Sequence, residues 1–291
     1  MKRVRKVVIP AAGLGTRVLP ATKVMPKEML QIVDKPAIQY IVEEAVRAGI
    51  EEILIITSRG KCLLEDHFDR TPELEDRLYQ NPAKRDLYDE IVGIADLANI
   101  TFIRQKEIKG LGHAVGRARA FVGDEPFAIL YGDDVIIGED PALAQLIRAY
   151  EAYGKSVVGV KEVQPEMISQ YSSLKLEPLE GNCYRCVDMI EKPEKGKEFS
   201  LFSILGRCVL DAKIFDIIEK TPPGAGGEIQ LTDAMCGLAR AETMTAVDFT
   251  GTRYDMGNKL GIMRANVEVA LQHPQIGADF RAYLKELSKT L

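Results

Sequence analysis

Three short, almost entirely apolar runs constrain the fold of this chain most strongly. They occupy positions 7–9, at the end of a strand expected over 3–9, and positions 53–57 and 127–131. Strands without a polar face are typical of parallel sheets that helices cover on both sides. Between the first two runs, the segment 36–49 has apolar residues at helical spacing, with Pro at its start and Gly at its end. The repeated β-α-β pattern predicts a Rossmann-like, doubly wound α/β fold with a mostly parallel, mixed sheet.

The pattern changes after about residue 160. Short strands separated by turn residues are expected at 172–176, 184–190 and 201–209. They indicate a small antiparallel addition to the main sheet. Two C-terminal helices follow, at about 260–271 and 276–287. The last helix has apolar positions suited to a subunit contact, namely Phe280, Tyr283, Leu284 and Leu287.

Composition and charge exclude several classes of partner. Hydrophobic residues make up 46% of the chain, charged residues 28%, and the net charge is -5. Such a chain is expected to be a soluble globule without general affinity for nucleic acid. The basic start, residues 2–6, precedes an apolar stretch that ends at Pro10. That stretch is too short for a signal-peptide core or a membrane span, so we expect a cytoplasmic protein without a membrane partner.

The cysteines favour the same compartment. The chain has five, which is an odd number, and they are widely spread. Without an export signal this pattern indicates free thiols. Cys183 and Cys186 have the C-x-x-C spacing of a zinc or redox site, but no second pair lies near them and their context is typical of a strand.

A loop of small residues follows the first strand and leaves backbone N–H groups uncovered. Fixed positive charges come soon after it, at Arg17, Lys23 and Lys27. A strand, bare backbone and cations in this order form a cradle for a polyphosphate. No lysine follows the loop as a P-loop requires, and Val18 stands where a dinucleotide fingerprint requires glycine. The candidate phosphate-binding residues of the loop are Ala11, Ala12, Gly13, Leu14 and Gly15.

Two acidic strand ends are candidates for a metal site. Asp133, with Asp134 beside it, follows the apolar run 127–131, and Asp255 follows a strand expected near 246–249. The alternative is an aspartate-capped turn, which is common in loops. Ligands of doubly wound sheets bind at the carboxyl ends of strands, where the glycine loop and Gln105 also lie. Carboxylates in that place would hold a hard divalent cation beside bound phosphates.

The motifs together resemble those of the sugar nucleotidyltransferases. G-x-G-T-R followed by P-K is their signature, and A-A-G-L-G-T-R…L-P-A-T-K…P-K-E-M-L resembles the branch of bacterial UTP–glucose-1-phosphate uridylyltransferases. The resemblance runs from Arg5 to about Leu271. It implies a reaction in which a sugar 1-phosphate attacks the α-phosphorus of UTP and pyrophosphate leaves, with Mg²⁺ as cofactor. The family's metal-binding aspartates match Asp133 and Asp255.

The resemblance also implies roles for individual residues. Arg17 is expected on the β- and γ-phosphates, Lys27 near the transferred phosphate, and Lys192 on the sugar phosphate. Uracil recognition is expected from Ala12, Gly13, Gln105 and Gly110, and sugar recognition from Glu191 and Gly206. The chain 1–291 is then one nucleotidyltransferase domain with a nucleotide-binding part (about 1–160), a sugar-binding part (about 161–257) and C-terminal helices (about 258–291). A homo-oligomer, dimer or tetramer, is expected.

The sugar side departs from the family pattern and leaves alternatives open. Gln170-Tyr171-Ser172 stands where the family usually has Lys-Tyr-Gly, Cys208 replaces a tyrosine, and Met256 replaces a cysteine. One alternative is a nucleotidyltransferase for another nucleotide, such as dTMP, or another hexose. A second is a regulatory paralogue that binds a UDP-sugar without turnover, although the charged residues of the site argue against it. A dehydrogenase is excluded by Val18 and by the lack of a suitable acid–base pair.

Overall fold

A computed structural model describes residues 2–290 and has thirteen strands and eleven α-helices within them. The strands are β1 (Lys6–Pro10), β2 (Gln31–Ile32), β3 (Lys35–Pro36), β4 (Glu52–Thr57), β5 (Asn99–Arg104), β6 (Phe127–Leu130), β7 (Asp134–Ile137), β8 (Val157–Glu162), β9 (Ser172–Pro178), β10 (Cys183–Glu191), β11 (Phe202–Leu210), β12 (Met244–Asp248) and β13 (Thr252–Asp255). The helices are α1 (Ala37–Arg47), α2 (Leu63–Phe68), α3 (Pro72–Tyr79), α4 (Arg85–Ala95), α5 (Leu111–Gly116), α6 (Arg119–Val122), α7 (Ala142–Tyr153), α8 (Ile214–Lys220), α9 (Leu231–Glu242), α10 (Lys259–Ala270) and α11 (Gly277–Leu287).

Nine strands form one central sheet in the order β5-β4-β1-β6-β11-β8-β12-β10-β9. Neighbouring strands are parallel from β5 to β6 and between β8 and β12; the other four pairings are antiparallel. Seven strands therefore run in one direction, and only β11 and β10 run against them. The predicted mostly parallel, mixed α/β sheet is confirmed.

Two hydrophobic cores explain why the apolar runs have no polar face. Val7, Ile9 and their neighbours pack with α1 and α7 on one side of the sheet. Val8 and Leu54 belong to the second core, with α5, α8 and α9, on the opposite side. Successive residues of a strand point to opposite faces, so a strand buried on both faces is apolar throughout.

The antiparallel addition is part of the same sheet. Strands β9 and β10 pair at its far edge, whereas β11 lies in its middle, between β6 and β8. An ion pair buried in the core joins β11 to α1: Arg207, which is 0% exposed, binds both carboxylate oxygens of Glu44 and the backbone oxygen of Asp134. A buried arginine is tolerated only when its donors are satisfied, as they are here.

Candidate active site

Two adjoining cavities lie at the carboxyl ends of the central strands and share Tyr131 and Asp133. The first, of about 240 Å³, is lined by Gly13, Lys27 and Gln105, among others. The second, of about 540 Å³, has Arg17 and Lys192 in its wall. Most of the charged residues singled out in the sequence therefore meet in one region, with Asp133 at the junction of its two halves.

The glycine loop leaves β1 and turns sharply before a short 3-10 helix, Thr16–Val18. Gly15 adopts a φ of 66°, which L side chains rarely adopt, and its carbonyl accepts a hydrogen bond from the Thr22 hydroxyl at 2.8 Å. A Cβ on Gly13 would lie 3.6 Å from Lys27 Nζ, so this glycine leaves space between the backbone and the cation. Ala12 lines the first cavity, Ala11 is buried behind it, and Leu14 is exposed to solvent.

Lys27 and Asp133 form the central ion pair of the site. Lys27 Nζ donates to Asp133 Oδ2 at 2.5 Å, and Arg17 Nη2 lies 4.0 Å from the same oxygen. Burial alone would raise the pKa of Asp133, but Lys27 and Arg17 outweigh it and hold the pKa below its ordinary value. Asp133 is therefore an anion at neutral pH, available to a cation.

A second, deeper ion pair supports the glycine loop. Lys61 Nζ donates to both carboxylate oxygens of Glu28, at 3.1 and 2.8 Å, and to the Ala11 carbonyl at 2.5 Å. Glu28 is 0% exposed and Lys61 only 8%. Because Glu28 belongs to the same 3-10 helix as Lys27, Lys27–Met29, this pair joins the loop to the segment that carries Lys27.

Asp255 reaches the site on a two-stranded ribbon of β7 and β13, in which it pairs with Asp134. Neither strand of this ribbon is among those predicted from the sequence. Asp255 Oδ1 accepts a hydrogen bond from the Gly257 amide at 2.8 Å. A Cβ placed on Gly257 would lie 2.9 Å from Asp255 Oδ1, 2.9 Å from Asp133 Oδ2 and 2.5 Å from Arg17 Nη2. The two carboxylates thus converge on a space that only glycine leaves open.

Asp134 also lines the second cavity, but its carboxylate forms an ion pair with Arg253. It is buried, and its carboxylate lies 2.5 Å from the Arg253 guanidinium. Burial is the largest effect on this carboxyl and raises its pKa to about 6, with repulsion from Asp133 adding to the shift and Arg253 opposing it. Arg253 also lies over the Tyr171 ring, 5.6 Å from its centroid. Arg253 and Tyr171, whose hydroxyl is 3.4 Å from Asp255 Oδ2, were not singled out as functional from the sequence.

The donor set fits a magnesium ion. Within residues 2–290 no group of three or more His, Cys, Asp or Glu side chains forms a ready metal cage. Asp133 and Asp255 nevertheless supply two carboxylate oxygens around one space. Mg²⁺ typically binds one or two carboxylates and completes its shell with water and substrate phosphates. The pair therefore suits a cation that arrives with, or beside, a polyphosphate.

Gln105 and Gly110 lie together in the wall of the first cavity. Gln105 is 3% exposed, and its Nε2 donates to the Gly110 carbonyl at 3.2 Å. Gly110 has a φ of 101°, and a Cβ there would lie 2.7 Å from the Ile229 carbonyl oxygen. This close approach fixes the loop. The Ile229 amide donates a hydrogen bond to the Lys109 carbonyl, and the Gly112 amide donates one to the Ile229 carbonyl, both at 2.8 Å. The wall is preformed by backbone contacts.

Glu191 is the last residue of β10, and Lys192 follows it beside the second cavity. Lys192 has a φ of 47°, and its amide donates to the Tyr171 carbonyl at 2.9 Å. A non-glycine residue in this conformation costs free energy and is most common at functional sites. Its side chain is 48% exposed and lines the cavity, whereas Glu191 is mostly buried and hydrogen-bonded to Thr232. Burial, the largest effect, raises the pKa of Glu191.

Like Ala11, Leu14, Gly15 and Glu191, the predicted site residue Gly206 lines neither cavity. It lies under Asp134, where a Cβ would come within 2.7 Å of the Asp134 Cβ, and its carbonyl accepts from the Tyr131 amide at 2.9 Å. Its contact with a sugar stays a prediction. Of the positions that depart from the family pattern, Cys208, Met256 and Ser172 are buried, and Gln170 lines the second cavity.

Every cysteine is unpaired, and Cys183 and Cys186 lie on strand β10 as the context predicted. No helix of the described chain is long and apolar enough to cross a bilayer.

Comparison with known proteins adds four likenesses. The profile of the family described as nucleotidyl transferase matches residues 6–272. The UTP–glucose-1-phosphate uridylyltransferase YngB of Bacillus subtilis (strain 168) is 52% identical over 288 residues, which cover 99% of this chain and 97% of the relative. The solved structure of UTP-bound UGPase from Acinetobacter baumannii is 40% identical with a TM-score of 0.90, covering 98% of this chain and 99% of that one. A UDP-glucose pyrophosphorylase complexed with UDP-glucose is likewise 40% identical, with a TM-score of 0.85 and coverage of 93% and 100%.

Proposed function

The chain belongs to the nucleotidyl transferase family, within the bacterial UTP–glucose-1-phosphate uridylyltransferases, and we propose that it makes UDP-glucose and pyrophosphate from UTP and α-D-glucose 1-phosphate. One observation carries the proposal: Lys27, Arg17, Asp133, Asp255 and Lys192 surround two adjoining cavities, with Asp133 at their junction. The first cavity suits the nucleoside and the transferred phosphate, and the second suits the sugar phosphate and the phosphates that leave. The relatives named above, which cover nearly the whole chain, support the same activity.

The reaction is an in-line displacement that needs no general base. A phosphate monoester is largely a dianion near pH 7, because its second pKa is about 6. One of its oxygens forms a bond to the α-phosphorus of UTP, while the bond from that phosphorus to the bridging oxygen breaks and pyrophosphate leaves with the electron pair. The task of the protein is to align two anions that repel each other and to neutralise their charge.

The cations of the site divide this task. Lys27, in the first cavity, neutralises the transferred phosphate, and Arg17, in the wall of the second, holds the leaving phosphates. Lys192 binds the phosphate of the incoming sugar, and Glu191 and Gly206 are assigned to the sugar. The loop residues Ala11 to Gly15 bring backbone N–H groups to the nucleotide, and Gln105 and Gly110 face the base.

Asp133 and Asp255 would hold Mg²⁺. When bound, this ion supplies positive charge that polarises the nucleotide phosphates and stabilises charge that develops during transfer. Lys27 keeps Asp133 ionised for this purpose, since it holds the pKa of the carboxyl down.

A pyrophosphate-release assay tests the proposal. The purified protein is incubated with Mg²⁺, each nucleoside triphosphate, and glucose, galactose or N-acetylglucosamine 1-phosphate. Release should be fastest with UTP and glucose 1-phosphate. No release from that pair would overturn the proposal. A preference for dTTP or for another hexose 1-phosphate would show a nucleotidyltransferase of that other specificity. Binding of UDP-glucose without turnover would favour a regulatory paralogue.

The metal assignment has its own test. Asp133→Ala should lower kcat by at least about a hundredfold, because it removes both a metal ligand and the partner of Lys27. Circular dichroism and the thermal midpoint should stay near those of the unchanged protein, since Asp133 lines the two cavities and belongs to neither hydrophobic core. Near-normal turnover would contradict the assignment.

We extend the proposal to organisation and location. The whole chain works as one nucleotidyltransferase domain, forms a homo-oligomer, and acts in the cytoplasm. Its unpaired cysteines are consistent with a reducing compartment, and the exposed apolar side chains of the last helix are suited to contact with a second copy.

A further inference from the structure

The side-chain amide of Gln105 is oriented by two acceptors of the protein. Its Nε2 lies 3.2 Å from the Gly110 carbonyl oxygen and 2.8 Å from Nδ1 of His113. A carbonyl oxygen only accepts, so the atom that faces it has to be the amide nitrogen. Since that nitrogen carries hydrogens, Nδ1 of His113 also accepts, which requires a neutral imidazole with its proton on Nε2.

The carbonyl end of the same amide is left for a ligand. Within residues 2–290 no hydrogen bond to Gln105 Oε1 is formed, and this atom is not among the fully buried polar atoms without a partner. Gln105 lines the first cavity, so its Oε1 is the accessible polar atom of the amide there. The cavity thus presents an acceptor at this point.

We propose that His113 is a positioning residue that holds the Gln105 amide with its carbonyl toward the nucleotide base and thereby selects bases with a ring N–H. This inference rests on the proposed function only in taking UTP as the nucleotide. Uracil carries a hydrogen on N3 and donates to Oε1, whereas cytosine has a lone pair on N3 and meets another acceptor. A buried acceptor that meets an acceptor rejects the ligand strongly, so the fixed amide favours UTP over CTP.

The surroundings of His113 keep its ring neutral. Burial, Lys109 and Arg117, in that order, lower the pKa of His113, and Glu107 opposes them; Lys106 lies in the same surface cleft. Protonation of Nδ1 would set a donor against the Gln105 nitrogen and favour a flipped amide. We therefore expect the preference for UTP to be constant above about pH 6.5 and to decline only in more acidic solution.

Two replacements separate orientation from packing. In His113→Asn the side-chain oxygen can occupy the place of Nδ1 and accept the same hydrogen bond, but it does not titrate. In His113→Leu the volume is similar and the acceptor is lost. For both variants and the unchanged protein, kcat/KM is measured with UTP and with CTP against glucose 1-phosphate between pH 5.5 and 8.

The ratio of the UTP to the CTP value is the decisive readout. We expect it to fall about tenfold in His113→Leu, to stay near the original in His113→Asn, and to lose its acidic decline in both variants. An unchanged ratio in a folded His113→Leu protein would overturn the inference, as would an equal loss for both nucleotides. Failure of the unchanged protein to use UTP would instead overturn the proposed function.

Discussion

At the scale of single residues, Lys61 stands out because it lies under the site without touching either cavity. Its ammonium joins the Ala11 carbonyl to the Glu28 carboxylate, and both partners are almost inaccessible to solvent. Burial raises the pKa of Glu28, while Lys61 and Lys27 oppose that shift. Burial likewise lowers the pKa of Lys61, and Glu28 opposes it. Each group therefore depends on the other to remain charged.

We expect Lys61→Met to destabilise the protein by about 3–5 kcal/mol at pH 8, because it leaves the carboxylate of Glu28 buried without a partner. The loss should shrink as the pH falls. Without Lys61 the pKa of Glu28 in the folded protein rises further above its unfolded value. Protonation of Glu28 therefore stabilises the folded variant in acid, and this stabilisation is lost as the pH rises through the folded pKa. Urea unfolding at pH 5 and pH 8 measures both effects.

Two further variants serve as controls. Glu28→Gln combined with Lys61→Met should recover part of the stability, since no buried charge then remains. Lys155→Met, at an exposed lysine, should change the free energy of unfolding by less than about 0.5 kcal/mol. If Lys61→Met were as mild as Lys155→Met, the buried pair would contribute little to stability.

The sequence could predict the cavity residues but not their support. Lys27, Gln105, Asp133 and Lys192 could be singled out because each belongs to a short motif that resembles a motif of the family. Lys61 and Glu28 were not, since they are 33 positions apart and either one looks like an ordinary surface charge. Burial makes them important, and burial is a property of the folded chain.

At the scale of elements, the ribbon of β7 and β13 brings together Asp133 and Asp255, the two proposed metal ligands. Its strands have four residues each and pair Asp134 with Asp255. The Met256 amide also donates a hydrogen bond to the Asp133 carbonyl at 2.8 Å. Sequence reasoning missed the ribbon because each strand is too short to show a period and lies beside glycine or aspartate, which are typical of turns. The two acidic positions could be predicted, but not how they are joined.

Gly257→Ala tests whether the space beside this ribbon is needed. The added methyl group would lie within 2.9 Å of Asp133 Oδ2 and Asp255 Oδ1 and 2.5 Å of Arg17 Nη2. We expect kcat/KM to fall at least about a hundredfold, because ligands displaced by an ångström no longer hold the reacting groups in line. Titration with Mg²⁺ during turnover should show a weaker apparent affinity for the metal.

A matched glycine lies in α4. Gly93→Ala places its methyl group in open space, so activity should be unchanged and the helix should gain up to about 1 kcal/mol of stability. Turnover of Gly257→Ala equal to that of Gly93→Ala would show that the carboxylates tolerate a side chain between them.

At the scale of the whole molecule, the sheet and the last helix have different environments. Both faces of the sheet are covered, which is why the sequence predicted its core strands well. Helix α11 has only Gly277 fully buried and exposes Tyr283 by 58% and Leu287 by 38%. An amphipathic helix with uncovered apolar residues gains stability when a second surface covers them. Composition could suggest a subunit contact here, but a single chain does not contain the partner.

We expect the double change Tyr283→Glu and Leu287→Glu to reduce the oligomer to a smaller species, because two carboxylates would be buried without partners in the contact. Light scattering coupled to gel filtration measures the mass before and after the change. Leu87→Glu, at an apolar residue of α4 that is 44% exposed, is the matched control and should leave the mass unaltered. An unchanged mass in the double variant would show that the subunit contact does not involve α11. Loss of mass with full turnover would show in addition that each copy carries a complete site.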